Sequence, residues 1–264
     1  MAEHLVFTIF APLGAWGTPS PSSGNAAYKA SETVPTKSAV VGLLGAALGW
    51  PRERLGELAA ALHVAVRLDR QPLHQPAPDY HTVRKGQRPR GRERWSRFDE
   101  LRDDLTRTAS GGAMLSRREY LAEGLWTVAV HCASGQVVTA ADLAAALRSP
   151  VYPMYAGRKA FSLGLPPDPE VIEADGPVAA LAAYGSLTRR RPALTRWLAA
   201  PADPAPEVGL CCDADYPGLE RPAERWLERR DMPRPVRLED GRVERRFAVR
   251  TEAHLSIPGE PPCT

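Results

Sequence analysis

The chain has 264 residues, 44% hydrophobic and 25% charged, which suits a globular protein with one large domain or two small ones around a buried core. Its 34 Lys and Arg stand against 31 Asp and Glu, so the overall balance is close to neutral and any polyanion site has to be local. No apolar run reaches the roughly 18–20 residues that cross a bilayer, and Met1-Ala2-Glu3-His4 lacks the basic and apolar parts of a signal peptide; the expectation is a cytoplasmic protein with no membrane partner.

With 26 Pro and 21 Gly the elements should be short and the turns many. Leu5 to Phe10 reads as a central strand, broken by Ala11-Pro12-Leu13-Gly14-Ala15-Trp16-Gly17, and a Pro/Ser/Gly loop follows to about Val34. Thr36 is the expected N-cap of a helix that fills Ala39 to Leu48. Gly42, Gly45 and Gly49 inside it each cost stability, which close packing would explain. A second helix spans Arg52 to Leu62. In the strand His63 to Asp69, Val64, Val66 and Leu68 share one face while Ala65, Arg67 and Asp69 take the other.

Beyond a long insertion, Trp126 to His131 is a strand, Thr139 caps a helix over Ala140–Leu147, and Val151 to Tyr155 reads as a short strand. Strand, helix, strand, strand, helix, strand is the split βαβ order of an α+β, ferredoxin-like fold. From Asp168 onward the pattern is weaker. Pro177 to Tyr184 looks helical, Leu194 to Leu198 a turn of helix, residues 201–206 a linker, and Val208–Cys212 and Arg242–Arg250 strands. This half reads as a smaller β-rich subdomain over 168–264, after a first domain over 1–167.

Cys132, Cys211, Cys212 and Cys263 form no Cys-x-x-Cys pair and have no His at zinc spacing, and the six histidines are scattered. The expectation is no metal, no disulfide framework and no cofactor.

Chemistry concentrates in the insertion. Between Arg84 and Arg97 seven residues are basic (Arg84, Lys85, Arg88, Arg90, Arg92, Arg94, Arg97) and only Glu93 is acidic. Basic residues neutralise phosphates and release counterions, and Trp95, Tyr80 or His81 could stack on an unpaired base. The bland alternative is a solvated loop. Trp16, between Gly14 and Gly17, could stack a base or anchor its loop from inside.

Several motifs lie in register: Gly14-Ala15-Trp16-Gly17, the run from Pro35-Thr36-Lys37-Ser38 to Leu48-Gly49, Asp79-Tyr80-His81-Thr82-Val83, Arg118-Glu119-Tyr120-Leu121 and Pro153-Met154-Tyr155-Ala156-Gly157-Arg158-Lys159. In this order and spacing they resemble the family-five CRISPR-associated proteins of the RAMP superfamily, in the CasD branch of type I-E Cascade complexes. The match runs from about Leu5 to Pro166. The resemblance implies a ferredoxin-like (RRM-like) domain whose thumb hairpin is the insertion at about 72–117. It implies a non-catalytic subunit of an antiviral ribonucleoprotein that binds and caps the 5′ handle of the crRNA and touches the backbone and large subunits. Target DNA would be met only through the assembled complex.

On that reading the RNA-binding candidates are Lys37, Ser38, Tyr80, His81, Arg84, Lys85, Arg88, Arg118, Tyr155, Arg158 and Lys159. Lys37 and Ser38 would offer a helix N-terminus to a phosphate. Arg158 and Lys159 follow a glycine that lets the backbone approach RNA. The plain alternatives are a solvated lysine at position 37 and a structural ion pair at Arg158. The rival function is a metal-independent endoribonuclease that cuts precursor crRNA, with Tyr80, His81 and Lys85 as base, acid and cation.

Overall fold

The computed structural model describes residues 1–17, 26–74, 78–83, 114–133, 138–195, 207–220, 222–237, 239, 241 and 243–259. The strands of the N-terminal half are β1 (Ala2–Gly14), β2 (Trp16–Gly17), β3 (Ala26–Lys29), β4 (Ser31–Glu32), β5 (Leu62–Arg70), β6 (Leu73–His74), β7 (Asp79–Val83), β8 (Met114–Arg118) and β9 (Leu121–Cys132). They are followed by β10 (Glu170–Ala174), β11 (Glu207–Asp213), β12 (Arg225–Arg237) and β13 (Val243–Pro258). The helices that matter for packing are α1 (Lys37–Leu48), α2 (Leu55–Ala61), α3 (Ala140–Arg148) and α4 (Pro177–Tyr184).

β1 is buried on both faces, as its apolar run requires, and therefore sits inside a sheet rather than at an edge. It pairs antiparallel with β9 on one side and β10 on the other. β5 pairs antiparallel with the far side of β9. One face of these strands, with Leu5, Phe7, Val64, Val66, Trp126, Val128 and Val130, packs against Val40, Leu44, Leu143 and Leu147 of α1 and α3. Both helices begin as their sequences dictate: the Thr36 hydroxyl accepts from Ala39 N–H, and Thr139 with Asp142 closes a capping box.

The opposite face is also buried. Val6, Ala65 and Ala129 meet Leu181 and Tyr184 of α4 and Leu210, Leu255 and Ile257 of the C-terminal strands. Arg67, only 4% exposed, donates to the carbonyls of Leu181 and Gly185 and so satisfies the C-terminal end of α4.

One expectation changes, and two features emerge from the structure alone. Val151 to Tyr155 is a bend rather than a strand, with one isolated bridge from Tyr155 to Ser162. Val151 and Tyr152 are more than half exposed, Pro153 supplies no ladder donor, and the amides of Val151 and Tyr152 instead bond the α1 carbonyls of Ala47 and Ala46. The strand after α3 is β10. The C-terminal third is not set apart by a break in the sheet: β11 pairs with β5, giving the order β10-β1-β9-β5-β11-β13-β12. Lastly β12, which its charges and Pro233 and Pro235 disguise, is a 13-residue edge strand along β13. Cys263, most of the Leu194–Leu198 turn and the 201–206 linker lie outside the described residues.

Candidate nucleic-acid interface

The candidate interface lies at the root of the insertion. β7 and β8 form the two sides of a hairpin with Asp79 opposite Arg118, Tyr80 opposite Arg117 and His81 opposite Ser116. β3 adds a parallel third strand along β8, with Tyr28 beside Arg117 and Lys29 beside Arg118. Arg84, Lys85 and Arg88, with the rest of 84–113, lie outside the described residues.

The loop that carries Arg158 locks onto this root. Arg158 Nη1 donates to Asp79 Oδ2 at 2.8 Å and Nη2 to the Glu119 carbonyl at 2.8 Å, and the guanidinium lies 5.2 Å from the Phe161 ring centre. Gly157, at φ +80°, makes that approach possible: a Cβ there would stand 1.8 Å from the Ala15 carbonyl oxygen. The loops around Trp16 and Arg158 are thus one packed unit, joined by Ala15 N–H to the Ala156 carbonyl. Trp16 is 2% exposed and edge-on to Trp126 at 5.3 Å, so it anchors its loop from inside. Its indole Nε1 has no hydrogen-bond partner among the described residues.

Glu119 ties the corner together. Its carboxylate accepts from the Tyr28 hydroxyl and from Ser31 N–H, and its own N–H donates to the Lys29 carbonyl. The bond to Glu119 raises the Tyr28 hydroxyl above its ordinary pKa.

The sequence candidates divide into two groups. Tyr80, His81, Arg118, Tyr155, Arg158 and Lys159 gather at this root or on the loop against it. Tyr80 is 59% exposed, His81 and Lys159 are exposed, and Arg118 and Tyr155 are half-buried. His81 Nε2 stands 3.7 Å from Asp79 Oδ2, and Arg118 Nε donates to Ser116 Oγ. Arg158 spends its fork on Asp79 and Glu119, which makes it a positioning residue for the loop.

Lys37 and Ser38 lie elsewhere, and Lys37 is not a surface cation. Its ammonium is 2.8 Å from Asp213 Oδ2 with both side chains buried, while its backbone N–H donates to Asp231 Oδ2. Asp213 also accepts from Arg250 and from Val64 N–H, and Arg250 grips Asp231 with two nitrogens. The chain's own carboxylate therefore fills the place at the α1 N-terminus that the sequence reading offered to a phosphate. Ser38 exchanges a hydrogen bond with Thr36.

The profile of the family described as CRISPR-associated protein (Cas_Cas5) matches residues 4–251, which takes in both the interface and the C-terminal strands. The chain belongs to that family. It is 28% identical over 193 residues to the CRISPR system Cascade subunit CasD of Escherichia coli strain K12, covering 70% of this chain and 78% of that one. A chain of a CRISPR RNA-guided surveillance complex superposes with a TM-score of 0.56 at 21% identity, over 97% of this chain and 90% of that one. A crystal structure of a Cas protein gives 0.51 at 22% identity, over 98% and 100%. At these identities the two structures establish likeness of fold alone.

Among the described residues two clusters of metal-ligand types come close together: Cys211, Glu252 and His254, and His63, Asp213 and Asp215. Asp213 and Glu252 already balance Lys37, Arg229 and Arg250, and burial pushes the Cys211 thiol up to about 12. Both clusters read as parts of one charge network. Among the described residues no helix is long and apolar enough to cross a membrane.

Sequence reasoning missed Tyr28, Arg117 and the hub role of Glu119. The pairing of β3 with β8 joins residues about 90 positions apart, and a parallel contact between two short strands has no local sequence signal.

Proposed function

We propose that this protein is the non-catalytic subunit of a type I-E Cascade complex that binds and caps the 5′ handle of the crRNA and contacts the backbone and large subunits. Family membership and the likeness to CasD support the assignment. The observation that carries the RNA role is the exposed aromatic and basic surface at the insertion root, continuous in sequence with the Arg84–Arg97 run. Single-stranded RNA offers phosphates to such cations and unpaired bases to such rings. The order β10-β1-β9-β5, with α1 and α3 on one face, supports a ferredoxin-like core from which the thumb rises. Target DNA is met through the assembled complex.

The nuclease alternative is weakened by alternation. Tyr80 and His81 are consecutive on β7, so they leave opposite faces of the sheet, whereas an acid and a base must converge on one phosphate.

The test is incubation of the full chain with labelled repeat RNA and no metal, beside His81→Ala, followed by binding across a salt series. Intact RNA is expected in both. Replacing Arg84, Lys85 and Arg88 by Ala should weaken binding and flatten its salt dependence by about one counterion per lost contact. A specific cut that His81→Ala abolishes would make the protein a processing ribonuclease instead.

A further inference from the structure

A row of three side chains crosses the small sheet. Tyr28 on β3 lies beside Arg117 on β8, and Arg117 lies opposite Tyr80 on β7. Residues in register share a face, so these three project from the same side. Tyr28 is 48% exposed, Tyr80 59%, and Arg117 is exposed between them.

The other side of the same sheet, where Lys29 and His81 remain exposed, is partly closed by the protein itself. Ser116 is buried there, Asp79 is held by Arg158, and Arg118 bonds Ser116. The open side is also prepared in advance. Glu119 holds the Tyr28 hydroxyl and is in turn fixed by Ser31, so the tip of the ring is pinned while much of its surface stays in solvent. A free tyrosine on a surface gives up rotamer freedom when a ligand orders it, and a pinned one has already done so.

We infer that Tyr28, Arg117 and Tyr80 form a stacking platform for two unpaired nucleobases, with the Arg117 fork on the phosphate between them. The two rings are two strand spacings apart, about 10 Å, which is too far to sandwich one base and suits two successive ones. Aromatic side chains on a sheet take single-stranded bases in this way without reading their edges, and an arginine between them adds a bidentate phosphate contact. The inference rests on the RNA role proposed above and adds to it Tyr28, Arg117 and a division of labour. The rings hold bases, and the fork holds backbone.

The test uses the full chain with two probes, a short single-stranded repeat RNA and the same strand made abasic. Wild type should bind the intact strand more tightly. Tyr28→Leu and Tyr80→Leu should each lose on the order of tenfold on the intact strand and nothing on the abasic one. Tyr28→Phe, which keeps the ring but loses its pin to Glu119, should fall between wild type and Tyr28→Leu on the intact strand. Arg117→Gln should weaken both probes and lower the salt slope by about one. Leucine variants that keep wild-type affinity for intact RNA, or that lose as much on the abasic strand, overturn the platform and leave the RNA role standing. A Tyr28→Phe variant as weak as Tyr28→Leu also overturns it, since the ring would not be what matters. Wild type that binds neither probe at low salt overturns both the platform and the role it rests on.

Discussion

Lys37 shows how one side chain changes meaning with its surroundings. At the first position of a helix, after a capping threonine, a lysine looks like a cation offered to solvent or phosphate. The fold instead brings Asp213 to it from 176 residues away, and Arg250 shares the same carboxylate. Two charges taken out of water are held only by mutual attraction and complete hydrogen bonding. Lys37→Met should therefore lower stability in urea. The loss should be smaller than the roughly 3–5 kcal/mol of a solitary broken buried pair, because Arg250 and Val64 N–H still serve Asp213. Its RNA affinity should keep the wild-type salt slope, and a slope lower by about one would return Lys37 to the phosphates. Arg158 makes the same point more mildly. Its fork is committed to Asp79 and Glu119, so what it does in the fold is hold its loop against the insertion root.

The glycines of α1 look alike in sequence and separate at the scale of the element. Gly49 takes φ +72° and ends the helix with its N–H on the carbonyls of Ala46 and Gly45. Gly45 faces Leu55, whose Cδ2 would be 2.3 Å from an added Cβ, so here a close neighbour does explain the glycine. Gly42 would meet nothing within 4 Å among the described residues, and their packing does not account for it. Gly42→Ala should then stabilise the protein by about 1 kcal/mol through helix propensity, raising Tm by roughly 2–4 °C. Gly45→Ala should lower Tm, because forcing Leu55 aside costs more, about 1–3 kcal/mol, than the helix gains. Paired thermal melts decide between them, and equal shifts would contradict the packing account. The helices and central strands were legible because Thr36, Thr139 and the apolar runs act locally. β12 was not, because an edge strand needs only one partner and tolerates the charges and prolines that hide it.

For the whole molecule, the continuous sheet means that the C-terminal strands should melt with the rest. Acid provides the test. His4 is buried between Tyr216 and the Ala174 carbonyl; burial lowers its pKa below 6.5, and His131 and the N-terminal charge lower it further. The unfolded chain takes up that proton first, so stability begins to fall as pH drops below 6.5. Burial would raise the Glu252 carboxyl from its ordinary 4.5, but His254, Arg250 and Arg229 outweigh it and hold it to about 2. The stability Glu252 supplies is complete above pH 4.5 and is lost as pH falls from there toward 2, on the order of 3 kcal/mol. His4 is in the central sheet and Glu252 in the C-terminal strands. Fluorescence and far-ultraviolet circular dichroism should report one coincident acid transition, and two separate transitions would mark 168–264 as an independently unfolding subdomain.

By itself the sequence determined the two capped helices, the central apolar strands, the basic insertion with its motifs and, through those motifs, the family. Each of these rests on side chains close together in the chain, where periodicity and capping act. Only the tertiary structure decided that the strand after α3 is Glu170–Ala174, that the C-terminal third extends the same sheet, and that Lys37 is buried against Asp213. It alone set Tyr28, Arg117 and Tyr80 in one row. Those outcomes depend on which distant strands pair, and pairing is chosen by the burial of both faces of a sheet and by the matching of charges that no local pattern records.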